Sequence, residues 1–121
     1  MLTISYARRH LQLLLAEWLE KALGRKTLYN LQDRALRVLE EAVELAQAAG
    51  IPREKALEQL HHTYDREPGE VYQEIAGVLN AALMTAEAIG KDGMSLGAAE
   101  LIRVEEKIDL IRLKNLSKVQ A

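Results

Sequence analysis

Helical period is the strongest constraint on this chain. Two prolines and seven glycines punctuate its 121 residues, and almost every stretch between them places apolar residues three and four apart. No stretch alternates apolar and polar residues as a strand would, and there is no internal repeat or low-complexity segment. The pattern predicts an all-α fold: an antiparallel four-helix bundle with one short extra helix, in a single domain spanning 1–121.

The predicted helices follow the punctuation. The first covers 4–23, with Ala7, Leu11, Leu14, Leu15, Trp18 and Leu23 on one face and Gly24 as its C-cap. Arg25, Lys26 and Thr27 read as a short basic loop. The second covers 28–49, closed by Gly50. A shorter helix over 52–64 begins at Pro52, a residue suited to a first turn. Pro68 and Gly69 introduce a third long helix over 69–89. The last begins after Ser95, a plausible N-cap, and runs to 116 with Leu101, Val104, Ile108 and Ile111 as its core stripe.

Charge and composition narrow the partners. A net charge of -2 gives no reason to expect nucleic acid or an anionic membrane. There is no cysteine, so disulfides and thiolate zinc sites are excluded. The apolar run at 13–16 is too short for a membrane span or a signal peptide, so a cytoplasmic protein is the expectation.

One segment concentrates chemistry. Glu40, Glu41 and Glu44 fall within five positions of the second helix. At about 100° per residue, Glu41 and Glu44 are about 60° apart and Glu40 and Glu44 about 40° apart. Like charges so spaced repel, and a hard cation such as Mg²⁺ or Mn²⁺ would relieve the repulsion. An acidic stripe opposite an apolar one is also what a solvated face looks like. It becomes a site only if other groups face it.

The third long helix carries Val71, Ile75, Val78, Leu79 and Ala82 on one side. On the other, small apolar residues follow Glu70 and Glu74. A helix apolar on both sides is expected to be enclosed, and carboxylates there need a partner or a metal. Salt bridges from Glu74 to Arg34, Arg37 or the last helix are the rival reading. Glu58 and His61 have the ExxH spacing of di-iron bundles, but such sites need two copies of the motif. In the last helix, Arg103, Lys107 and Lys114 flank the core stripe, as phosphate contacts or as a solvated face.

These residues together resemble the MazG-like branch of the all-α NTP pyrophosphatase superfamily, which includes all-α dUTPases and dCTP pyrophosphatases. The family pattern is EExxE on one helix and ExxD on a later one. Glu40-Glu41-Ala42-Val43-Glu44 matches the first in full. The likeness extends through Trp18, Asp33-Arg34, the run 36–39 and the run 45–50, then 66–70, 73–78 and the tail 107–114, as in small phage-type members. The resemblance implies a Mg²⁺-dependent (or Mn²⁺-dependent) hydrolase that cuts (deoxy)nucleoside triphosphates to monophosphate and pyrophosphate. It implies Glu41, Glu44 and Glu74 as metal ligands and Glu40 as the group that activates or orients water. Lys107 and Lys114 would contact phosphates, and Trp18 would contact base or sugar, or else be plain core. It also implies a homodimer or homotetramer with sites near the interface.

The chain departs from the pattern at Gly77, where the family has aspartate, and the segment between the two acidic motifs is long. Glu70 or Asn80 would complete the ligand set, or fewer metals would suffice, or hydrolysis is lost. The last alternative leaves a non-catalytic helical oligomeric module that binds nucleotide or protein through a degenerate metal site.

Overall fold

Caps and glycines divide the chain into helices, seen here in a computed structural model that describes residues 2–120, except for the side chains of 109, 110 and 118–120. Asp109 and Leu110, part of the tail run that carries the resemblance, therefore have side chains outside the described residues. Helices account for 81% of the described residues, and there is no strand among them. The elements are α1 (Ile4–Arg9), α2 (Leu11–Leu23), α3 (Arg25–Leu28), α4 (Leu31–Ala48), α5 (Arg53–Tyr64), α6 (Val71–Ala88), α7 (Gly93–Glu105) and α8 (Ile108–Gln120).

Most predicted boundaries hold to within a few residues, and four features differ. The first predicted helix is two, broken at His10, whose backbone leaves the helical region (φ -119°, ψ 26°). The apolar period runs through the break, and no glycine or proline marks it. The expected basic loop after Gly24 is instead the single-turn helix α3. The last predicted helix is also two, α7 and α8, separated at Glu106 and Lys107. Finally, the residue that caps α7 is Asp92, with Ser95 inside the first turn.

Asp92 accepts hydrogen bonds from the Ser95 backbone N–H at 3.0 Å and the Ser95 hydroxyl at 2.6 Å. Arg8 of α1 reaches the same carboxylate at 3.0 Å. The Ser95 hydroxyl first, then the Ser95 amide, with Arg8 behind them, hold Asp92 below the ordinary carboxylate range against the opposing effect of burial. A carboxylate depressed on folding stabilises the fold fully above its unfolded value, near 4, and that contribution is lost as pH falls through the folded value. We therefore expect Asp92→Ala to lower Tm by a few degrees near neutral pH. The gap to wild type should close on acidification below about pH 4, as calorimetry would read.

The chain forms two compact units, Met1–Tyr29 with Ala76–Ala121 and Asn30–Ile75. In the first, α1 packs on α7, and α2 packs on α3, α7 and α8. Small residues permit the close approach. Ala7 of α1 and Ala98 of α7 are fully buried, and a Cβ on Gly97 would stand 3.0 Å from Leu11. Ala22, Ala86 and Leu101 complete the core, and among the described residues Leu101 is the only large side chain in it. Arg112 of α8 donates to the carbonyl oxygens of Lys21 and Ala22, closing the last turn of α2.

The second unit is a helical hairpin. Asn30 caps α4 by accepting from the Asp33 N–H at 3.0 Å. Gly50 ends the helix at φ +89°, which lets the Ile51 N–H reach back to Ala46. α5 then returns along α4. No residue of this unit is buried. The side chains predicted to be enclosed on α6 are exposed as well: Val71, Ile75, Val78, Leu79 and Met84 all stand open. Only the end of α6 is covered, where Leu83 and Ala86 meet Gly93 at the start of α7.

Candidate functional site

The polar side of α4 holds four carboxylates and two arginines, and they sort into two groups. Arg34 pairs with Asp33 at 2.6 Å and Arg37 with Glu40 at 3.0 Å. These four side chains are half-buried, and the Nε atoms of both arginines are shielded and unbonded. Glu41 and Glu44 are different. Both are exposed, and neither makes an ion pair or hydrogen bond among the described residues. Two adjacent turns of one helix thus present two uncommitted carboxylates beside an arginine-anchored third, Glu40.

Such a pair can ligate a hard divalent cation. Mg²⁺ commonly takes one or two protein carboxylates and completes its octahedron with water and substrate phosphate oxygens. Glu41 and Glu44 supply a fitting donor type, and as partners for a cation they would exchange mutual repulsion for attraction.

Glu74 lies on the first turns of α6 with its carboxylate folded back on the chain, where a Cβ on Gly69 would stand 2.6 Å from Oε2. It makes no ion pair among the described residues, and Arg34 and Arg37 are engaged within α4. Glu70 is engaged too. Its hydrogen bond to Tyr72, with burial adding a little, holds that phenol above its ordinary value. No group of three or more His, Asp or Glu side chains comes together to hold a metal among the described residues. The carboxylates of α4 and Glu74 therefore do not converge within such a group.

The remaining candidates belong to the other unit. Trp18, on α2, is half-buried, and its indole N–H is shielded without a hydrogen-bond partner. Asn80 is exposed on α6. Lys107, between α7 and α8, and Lys114, on α8, are both exposed, as cations that meet a solution anion must be. Arg103 is occupied: it donates to both oxygens of Glu100, at 2.8 and 2.6 Å. That contact raises Arg103 and lowers Glu100, with the charge of Lys107 adding to the latter.

His61 and His62 bring no ligand set. His62 lines a shallow groove between α4 and α5 with Lys55, Glu58 and Gln59 over a floor that includes Val43 and Ala46. That floor is on the other side of α4 from Glu41 and Glu44. That Arg37 can reach a glutamate one turn on is open to sequence reasoning, but that it takes Glu40 and leaves Glu41 is not.

Comparison of the chain with protein-family models, with curated proteins and with solved structures finds no match.

Proposed function

We infer that this protein is a Mg²⁺-dependent nucleoside triphosphate pyrophosphohydrolase of MazG-like type, acting on (deoxy)nucleoside triphosphates in house-cleaning or nucleotide-pool control in the cytoplasm. The observation that carries the reading is the pair Glu41 and Glu44. They are the members of the acidic stripe left open while Asp33 and Glu40 are tied to arginines. A merely solvated stripe gives no reason for the uncommitted carboxylates to coincide with the two ligand positions of EExxE.

In this reading Glu41 and Glu44 would hold the ion, with Glu74 as the third ligand that the resemblance implies. When bound, a divalent ion would neutralise phosphate charge and acidify a water near the α-phosphorus. Arg37 keeps Glu40 in one orientation, from which it accepts a proton from that water. The resemblance assigns Lys107 and Lys114 to the outer phosphates and Trp18 to the base or sugar. The helices form an antiparallel four-helix bundle in a homodimer or homotetramer. Two carboxylates plus phosphate oxygens make a sufficient Mg²⁺ set, so Gly77 in the place of aspartate leaves the chemistry intact.

The test is pyrophosphate release from a panel of NTPs and dNTPs with Mg²⁺ or Mn²⁺. Turnover of at least one nucleotide is expected. A thermal shift supports it independently, because a ligand at one hundred times its Kd stabilises the fold by about 2.7 kcal/mol. No turnover with either metal would leave the non-catalytic binding module as the reading.

A further inference from the structure

Arg34 and Glu41 lie on one side of α4. They are seven residues apart, which leaves about 20° between them around the axis and about 10.5 Å along it. Arg34 thus continues the stripe of Glu41 and Glu44 by two turns toward the N-terminus. All three belong to one unbroken helix, so the helix itself fixes their spacing.

The present partner of Arg34 suits it poorly. Its guanidinium donates to the Asp33 carboxylate at 2.6 Å. Adjacent residues are about 100° apart around a helix and do not face each other. The contact is made by a terminal nitrogen, while Nε is shielded and has no acceptor, which is costly. Asp33 does not depend on the pair, because it lies in the first turn of α4, where the helix dipole already favours a carboxylate. Arg37 differs, for it holds Glu40 at a spacing where side chains do meet. Arg34 is therefore the arginine of this stripe that can change partners at small cost. Its side chain is 28% exposed, which leaves the guanidinium partly open to an anion.

A triphosphate joins the two ends of the stripe. A cation between it and Glu41 and Glu44 would take one part of the phosphate chain. The terminal phosphate, farthest along that chain, offers oxygens that a guanidinium fork grips with two parallel hydrogen bonds. A diphosphate held at the same carboxylates ends one phosphate short of Arg34. We propose that Arg34 leaves Asp33 when substrate binds and holds the terminal phosphate, and so sets the preference for triphosphates over diphosphates. The inference rests on the metal-site reading of Glu41 and Glu44 given above.

The experiment is calorimetric titration of the whole protein with inorganic triphosphate and with pyrophosphate, each in the presence of Mg²⁺. Wild type should bind triphosphate the more tightly. Arg34→Ala should weaken triphosphate on the order of 10- to 100-fold, the scale of a charge-assisted contact, and leave pyrophosphate nearly unchanged. Arg34→Lys, which keeps the charge and loses the fork, should recover part of the loss. Asp33→Asn separates this role from a structural one. It should bind triphosphate at least as tightly as wild type, whereas loss of a stabilising ion pair would weaken both variants alike. No binding of triphosphate to wild type, no loss in Arg34→Ala, equal losses for the two anions, or a loss shared by Asp33→Asn would overturn the proposal. Failure of the hydrolase reading looks different: the Arg34-dependent preference for triphosphate would persist, with no pyrophosphate released from any nucleotide.

Discussion

Glu41→Gln and Glu44→Gln should each lower metal-dependent pyrophosphate release by on the order of 100-fold or more. Loss of an outer group that merely orients a metal ligand already costs roughly 10- to 100-fold, and these residues are placed as the ligands themselves. Glutamine keeps the shape of the side chain and removes its charge, so the comparison isolates the charge. The fold should not suffer, since neither carboxylate bonds to another side chain among the described residues. Without metal, relief of the i, i+3 repulsion should leave the variants as stable as wild type or slightly more so. With Mg²⁺ the order should reverse, because only wild type gains the binding energy. Full turnover in both variants would remove Glu41 and Glu44 from the chemistry, and the proposed hydrolase mechanism with them.

The second large effect belongs to stability. Leu101→Ala should cost about 2–5 kcal/mol, the range for truncating a buried leucine. Leu101 is 1% exposed and, among the described residues of the first unit, is the only large side chain fully buried, on a helix that packs against both α1 and α2. The other core members, Ala7, Ala22, Ala86 and Ala98, are too small to fill the space it would leave. A fall in Tm on the order of 10 °C or more should follow. Ala99→Ser, at an exposed position of the same helix, should change Tm little. Scanning calorimetry of the two variants makes the comparison, and equal small shifts would mean that the core lies elsewhere.

The sequence made some of this architecture readable and hid the rest for physical reasons. Gly24 and Gly50 stand out as helix ends because a backbone at φ +92° or +89° suits a residue without a Cβ. The breaks at His10 and Lys107 left no such mark. The apolar period crosses both unchanged, and a one-residue departure from helical angles needs no special residue. Asp92 was passed over as the cap of α7 because Ser95 is an equally good capping residue. Only its Arg8 partner, 84 positions away, favours the aspartate. Core prediction fared unevenly for a related reason. Leu101 was read correctly, but the two-sided apolar character of α6 predicts enclosure without saying by what, and within one chain most of α6 stands open. At the candidate site, the spacing of Glu40, Glu41 and Glu44 was legible. Which of them Arg37 claims depends on rotamers and neighbours, and only coordinates show that.

The bare hairpin of α4 and α5 has a consequence for how the protein responds to dilution. A segment of this length that encloses none of its own side chains draws its stability from whatever it docks against. If the homo-oligomer proposed above forms through this hairpin, its folding equilibrium is tied to protomer concentration by mass action. Backbone amides of α4 and α5 should lose hydrogen-exchange protection in nanomolar solution while those of α7 keep theirs. A sparse population of this protein would then carry Glu41 and Glu44 on a frayed helix, so the chemistry assigned to them would switch on only as copies accumulate.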